Sequence, residues 1–87
     1  MNQDKMNQEE ILKVLQKIVN DILGDQAQPI SVKTKRKDLN ITSFAFVQMI
    51  ESIEDAFDIE ISNSQIRSAK TVEDIVSLIQ KEVSKKS

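Results

Sequence analysis

The chain contains no cysteine, histidine, tryptophan or tyrosine, and it has one glycine, Gly24, and one proline, Pro29. Without cysteine there is no disulfide framework and no thiolate nucleophile. Without histidine the commonest general base is gone, and the two absences together leave no donor set for zinc. A single glycine excludes the glycine-rich phosphate-binding loops. A calcium loop is excluded as well, because Asp55 to Glu60 holds no glycine and presents its ligands in the wrong order. The longest uninterrupted apolar run, Phe44 to Val47, is far short of a membrane span. Met1 to Met6 is polar and lacks the apolar stretch of a secretory signal, so a cytoplasmic protein that does not insert into membranes is expected.

What is present fits one small domain. The chain has 87 residues, of which 39% are hydrophobic and 30% charged, so its core is modest and has little room for a deep catalytic cleft. The net charge is −2, but the charges are unevenly distributed. Met1 to Lys37 carries seven bases and five acids, Asp38 to Ile66 six acids and no base, and Arg67 to Ser87 five bases and three acids. The acidic middle third can be a solvated helix face or a surface that attracts a basic partner.

Apolar periodicity outlines the helices. From Asn7 to Leu23, Ile11, Leu15, Ile18 and Ile22 recur at helical spacing, with Leu12, Val14, Val19 and Leu23 widening the stripe. Asn7 followed by Glu10 is a capping-box start, and Gly24 is a natural stop. Asp25 to Ile41 has no periodicity and reads as a long loop, docked through Ile30, Val32, Leu39 and Ile41, with a basic cluster at Lys33, Lys35, Arg36 and Lys37. A second helix is expected from Ser43 to Phe57, with Phe46, Met49, Ile50, Ile53 and Phe57 on its core face. Phe44 and Val47 fall outside that arc among Glu51, Glu54 and Asp55, either as a partner-facing patch with an acidic rim or packed under the loop. Ser62 with Gln65 opens a short third helix over Asn63 to Ser68. Thr71 with Asp74 opens a last helix to about Val83, with Val72, Ile75, Val76, Ile79 and Val83 inward. The domain is expected over residues 7–83, with flexible tails at 1–6 and 84–87.

Few chemistries remain for such a chain. Serines are present, but an unassisted hydroxyl is a poor nucleophile at neutral pH. Glu51, Glu54 and Asp55 would be solvent-exposed on a small convex helix, which offers no cleft for paired-carboxylate chemistry. The basic cluster contains no aromatic residue and lies beside an acidic block, which is weak support for nucleic-acid binding. An enzyme is not expected, and no catalytic or metal-ligating residue is assigned. Ser43 stands where the long loop meets a helix start. That position suits either an ordinary N-cap or an attached phosphate, since a helix N-terminus offers unpaired N–H groups and the positive end of the dipole.

The run Leu39 to Phe44, continued by Ile53 to Ile61 with its Phe57-Asp58-Ile59-Glu60-Ile61 sequence, resembles the central segment of acyl carrier proteins. Thr71-Val72-Glu73-Asp74 is similar to the opening of that family's last helix, and the spacing from Ser43 to Phe57 to Thr71 fits without a gap. The resemblance implies an all-α four-helix bundle with a long first loop and a short third helix. It implies a 4′-phosphopantetheine arm on Ser43, taken from coenzyme A by a separate phosphopantetheinyl transferase, whose terminal thiol carries an acyl group as a thioester. It also implies acyl-transferring or condensing partner enzymes with basic docking patches, met by Phe44, Val47, Glu51, Glu54 and Asp55 on a monomeric carrier. The family's usual Asp-Ser-Leu is Thr42-Ser43-Phe44 here, Ala45 and Gln48 stand where acids are frequent, and Lys33 to Lys37 is atypical. These departures point to a specialised polyketide, peptide-like or lipid pathway. The alternative is a carrier fold that has lost its arm and acts as an adaptor.

Overall fold

The computed structural model describes residues 7–39 and 41–86. Four helices follow in order: α1 (Gln8–Leu23), α2 (Ser43–Phe57), α3 (Asn63–Ser68) and α4 (Val72–Lys85), with short 3-10 turns at Gly24–Gln26 and Arg36–Leu39 in the loop between α1 and α2. No helix among the described residues is long and apolar enough to cross a membrane.

The helix starts follow from local chemistry. At α1 the Glu10 N–H donates to Asn7 Oδ1 (2.8 Å) while the Asn7 N–H donates to Glu10 Oε1 (3.0 Å), so two otherwise orphaned donors are satisfied reciprocally. Ser62 with Gln65 at α3 and Thr71 with Asp74 at α4 repeat the device. Gly24 ends α1 at φ +56°, a conformation that side chains disfavour, and Asp58 ends α2 in the left-handed region at φ +55°.

The amphipathic faces meet in one core. α1 contributes Ile11, Leu15, Ile18 and Val19; α2 contributes Phe46, Met49, Ile53 and Phe57; α4 contributes Val72, Ile75, Val76 and Ile79. α1 packs on both α2 and α4. Ile50 and Val83, placed inward by periodicity, are half-buried at the edge of this core. The Asp58 to Ile61 stretch is irregular; Ile59 is buried, and the Ile61 N–H donates to Glu54 Oε2 (2.9 Å).

The long loop is pinned at both ends of its path. The side-chain amide of Gln16 donates to Gln28 O (3.0 Å) and accepts from the Ile30 N–H (2.7 Å), while Ile30 and Ile41 pack on the core. Further on, the Val72 N–H donates to Thr34 O (2.8 Å), the Glu73 N–H to Val32 O (3.0 Å) and the Arg36 N–H to Lys70 O (2.8 Å). Loop carbonyls thereby satisfy N–H groups of the first turn of α4, which have no acceptor within the helix.

The proposed tail over 1–6 lies outside the described residues. α4 runs to Lys85, two residues beyond the expected end near Val83. Beyond it, Lys86 Nζ reaches the end of α2 and donates to Phe57 O (3.2 Å) and Asp58 Oδ2 (3.0 Å).

Candidate functional site

The N-cap of α2 is Thr42, not Ser43: the Ala45 N–H donates to Thr42 Oγ1 at 3.0 Å. This corrects the reading of Ser43 as a possible cap. Ser43 is the first helical residue. It is exposed, and its hydroxyl takes no part in the cap. The Phe46 N–H donates to Thr42 O (2.9 Å), so with Ala45 capped, the N–H groups of Ser43 and Phe44 are the ones that find no partner among the described residues. No acid stands in the first turn to neutralise the positive end of the helix dipole.

An open groove of about 580 Å³ leads away from Ser43. Its walls combine Ile41, Phe46 and Val47 with Asn63 and Ile66 of α3, and three cations, Arg36, Lys37 and Arg67, line it. Arg36 organises this wall. Its Nη1 donates to Ile66 O (3.0 Å), and its guanidinium lies 3.9 Å from the centroid of the Phe46 ring, a cation–π arrangement. One side chain thus joins the loop, the end of α3 and the core face of α2. Sequence reading placed Arg36 in a generic basic cluster and gave Arg67 no role, because nothing in one dimension shows that residues about thirty apart converge beside Ser43.

The expected docking residues occupy one side of α2. Phe44 is 74% exposed and Val47 53% exposed, so neither packs under the loop. At helical spacing they continue into Glu51 and Asp55, both exposed. Glu54 differs: it is half-buried, and its carboxylate accepts the Ile61 N–H, so it clasps the chain that follows α2 as well as adding charge. The acids crowd toward the C-terminal half of α2, the negative end of its dipole, where helix stability alone would favour cations. No base of α2 itself stands in its last turn; Lys86, the residue that follows α4, pairs with Asp58 there.

Elsewhere, Asp74 is held below the ordinary carboxylate range, first by the Lys70 backbone N–H and then by that of Thr71. Glu82 is lowered as well, first by its hydrogen bond from Gln65 and then by Lys85. Both groups stabilise helix junctions and lie away from the groove at Ser43.

The model of a family described as the phosphopantetheine attachment site matches residues 13–79. The acyl carrier protein of Thermobifida fusca is 34% identical over 76 residues, covering 86% of this chain and 96% of that protein. The chain belongs to the acyl carrier protein family. The acyl carrier protein of Exiguobacterium sibiricum is 33% identical over 79 residues, covering 90% of this chain and all of that protein. The solution structure of the holo acyl carrier protein of Geobacter metallireducens superposes with a TM-score of 0.77 over 87% of this chain and 88% of that one, and at 22% identity it supports the shared fold. Membership makes the chain a carrier and not an enzyme, with covalently attached 4′-phosphopantetheine as its cofactor. The residues at the start of α2 suit that group: a hydroxyl free of capping duty, two N–H groups with no partner among the described residues at a helix end without a first-turn acid, and Lys37 and Arg67 on the groove beside it.

Proposed function

We propose that Ser43 is the attachment residue and that the chain presents acyl intermediates to the enzymes of a dedicated pathway. The observation that carries the assignment is the division of labour at the start of α2, where Thr42 supplies the cap and leaves the Ser43 hydroxyl exposed and uncommitted. In the loading step the Ser43 oxygen bonds to the pantetheine-side phosphorus of coenzyme A. The bond from that phosphorus to the bridging oxygen breaks, adenosine bisphosphate leaves, and the hydroxyl proton passes to a base on the transferase. The arm supplies a terminal thiol that holds the acyl group as a thioester, which explains how a chain without cysteine or histidine serves acyl chemistry. The protein's own residues anchor the phosphodiester end, flank it with cations and offer a binding face to partners.

That face is the α2 stripe: Phe44 and Val47 as apolar anchors beside Ser43, with Glu51, Glu54 and Asp55 drawing in basic surfaces of acyl-transferring or condensing enzymes. The departures around Ser43, with Thr42 for the usual aspartate and Ala45 and Gln48 for frequent acids, support a specialised pathway over housekeeping fatty-acid synthesis.

Incubation with coenzyme A and a broad-specificity transferase, followed by intact mass measurement, tests the assignment. Wild type should gain one phosphopantetheine, and Ser43→Ala none; no gain on wild type, or an equal gain on the variant, defeats it. Docking is tested by Glu51→Lys with Asp55→Lys, which spares the Glu54 clasp. Loading should slow by about tenfold or more at low salt with helicity unchanged, and an unchanged rate would misplace the face.

A further inference from the structure

Beside the groove at Ser43 lies a second open groove of about 490 Å³, floored by Ala69 and walled by Lys35, Arg36, Lys37, Arg67 and Lys70. Five of the twelve basic residues of an overall acidic chain are gathered here. The fold brings them together through backbone contacts. The Arg36 N–H donates to Lys70 O (2.8 Å), and Lys35 pairs with Thr71 in an isolated antiparallel bridge, so the loop cations are held alongside those of α3 and the turn after it. Arg36 is spent on Ile66 O and the Phe46 ring, but Lys35, Lys37, Arg67 and Lys70 are exposed. Among the described residues none of the five makes an ion pair; the two ion pairs present, Lys85 with Glu82 and Lys86 with Asp58, lie elsewhere. The Asp74 carboxylate accepts the Lys70 and Thr71 backbone N–H groups, and among the described residues Asp38, next to Lys37 in the same 3-10 turn, makes no ion pair with the cluster. Like charges brought this close repel, and an anion relieves the repulsion.

Arg36, Lys37 and Arg67 line both grooves, so one continuous surface leads from Ser43 into the basic one. We infer that the basic groove is a resting site for the far end of an acidic cargo: an acyl group that ends in a carboxylate and is tethered through its other end at Ser43. The inference rests on Ser43 as the attachment residue and adds the class of cargo. A single exposed ion pair is weak, and free carboxylate in dilute solution would not stay in such a groove. A tether changes the balance, since it holds the anion at an effective concentration of about the millimolar range without any stronger contact. A neutral acyl group of the same length gains nothing from the cations, so the groove discriminates by charge. Because the contact is exposed, salt screens it, and a partner enzyme can draw the cargo away.

The test compares two loaded proteins. A broad-specificity transferase attaches the succinyl or the butyryl form of the arm from the matching coenzyme A thioester, and amide and side-chain resonances are recorded for each by NMR. The succinyl form should shift the signals of Lys35, Lys37, Arg67 and Lys70 relative to the butyryl form. The differences should fade as salt rises to about 1 M, where the screening length is roughly 3 Å, and should be lost in Lys35→Glu with Lys70→Glu, two cations that line the basic groove and not the one at Ser43. Identical spectra for the two wild-type forms overturn the inference, as do differences that persist in high salt or in the charge-reversed variant. Loading with identical spectra removes the cargo site and leaves the carrier reading intact; failure of both forms to load at Ser43 removes both.

Discussion

Removing the Thr42 hydroxyl and removing the Ser43 hydroxyl, one residue apart, should have opposite consequences. In Thr42→Ala the Ala45 N–H loses its acceptor at 3.0 Å. That cap is a single bond, since Ala45 at the third helical position has no side chain to reach back, unlike the reciprocal boxes at Asn7, Ser62 and Thr71. The site is exposed, so water replaces part of what is lost, and the cost should be about 1 kcal/mol, mid-range for a lost N-cap. For a domain of this size that lowers the melting temperature by about 4–8 °C. Ser43→Ala removes a hydroxyl that takes no part in the cap and should change stability by less than about 0.5 kcal/mol. Thr42→Asp keeps the cap and adds a charge that the helix dipole favours, so it should match or exceed wild type. Thermal unfolding of the three unmodified variants by circular dichroism measures one arm; intact mass after transferase treatment measures the other, with Thr42→Ala still gaining the arm and Ser43→Ala not. The reasoning fails if Ser43→Ala is as destabilised as Thr42→Ala. It also fails if Thr42→Ala loses the arm while Ser43→Ala keeps it.

Ile53 is fully buried between the helices, and Ile53→Ala should cost about 2–5 kcal/mol, enough to unfold much of a small domain, measured as a lower urea midpoint with an unchanged slope. Arg36→Ala removes the hydrogen bond to Ile66 O and the contact with the Phe46 ring; a loss of about 1–2 kcal/mol is expected, with faster amide exchange in the loop before α2 and at the end of α3 while α1 stays protected. The carboxyl of Asp74 is held below its ordinary value of 3.8 by the Lys70 and Thr71 N–H groups, so its contribution is fully present above that value and is lost as pH falls through the lowered one. Between neutral pH and strongly acidic solution, Asp74→Asn should therefore show a smaller decline in melting temperature than wild type, and parallel declines would show that the turn does not depend on this charge.

Much of the local structure was legible because its causes are local. Three capping boxes and one glycine mark helix ends through contacts spanning three or four residues, and the start of α1, the span of α2 and that of α3 follow the expected bounds. The core faces were legible because the helical repeat brings Phe46, Met49, Ile53 and Phe57 to one side whatever they pack against. The contact of Lys86 with the end of α2 was not, since it spans 28 residues. Nor was the double role of Glu54, whose bond to the Ile61 N–H depends on how the chain turns after Asp58.

The sequence by itself determined that this chain has neither cysteine nor histidine, that it forms amphipathic helices, and that Ser43 stands at the head of the central one beside an acidic stretch. It did so because composition and short-range periodicity need no knowledge of distant neighbours. Tertiary structure decided what surrounds Ser43. Thr42 takes the cap and leaves the neighbouring hydroxyl exposed, Phe44 and Val47 remain uncovered, and loop carbonyls bonded to the first turn of α4 bring Arg36 and Lys37 beside Arg67. Whether a hydroxyl is spent or free, and which charges share a groove, depends on backbone paths that converge only when the core closes.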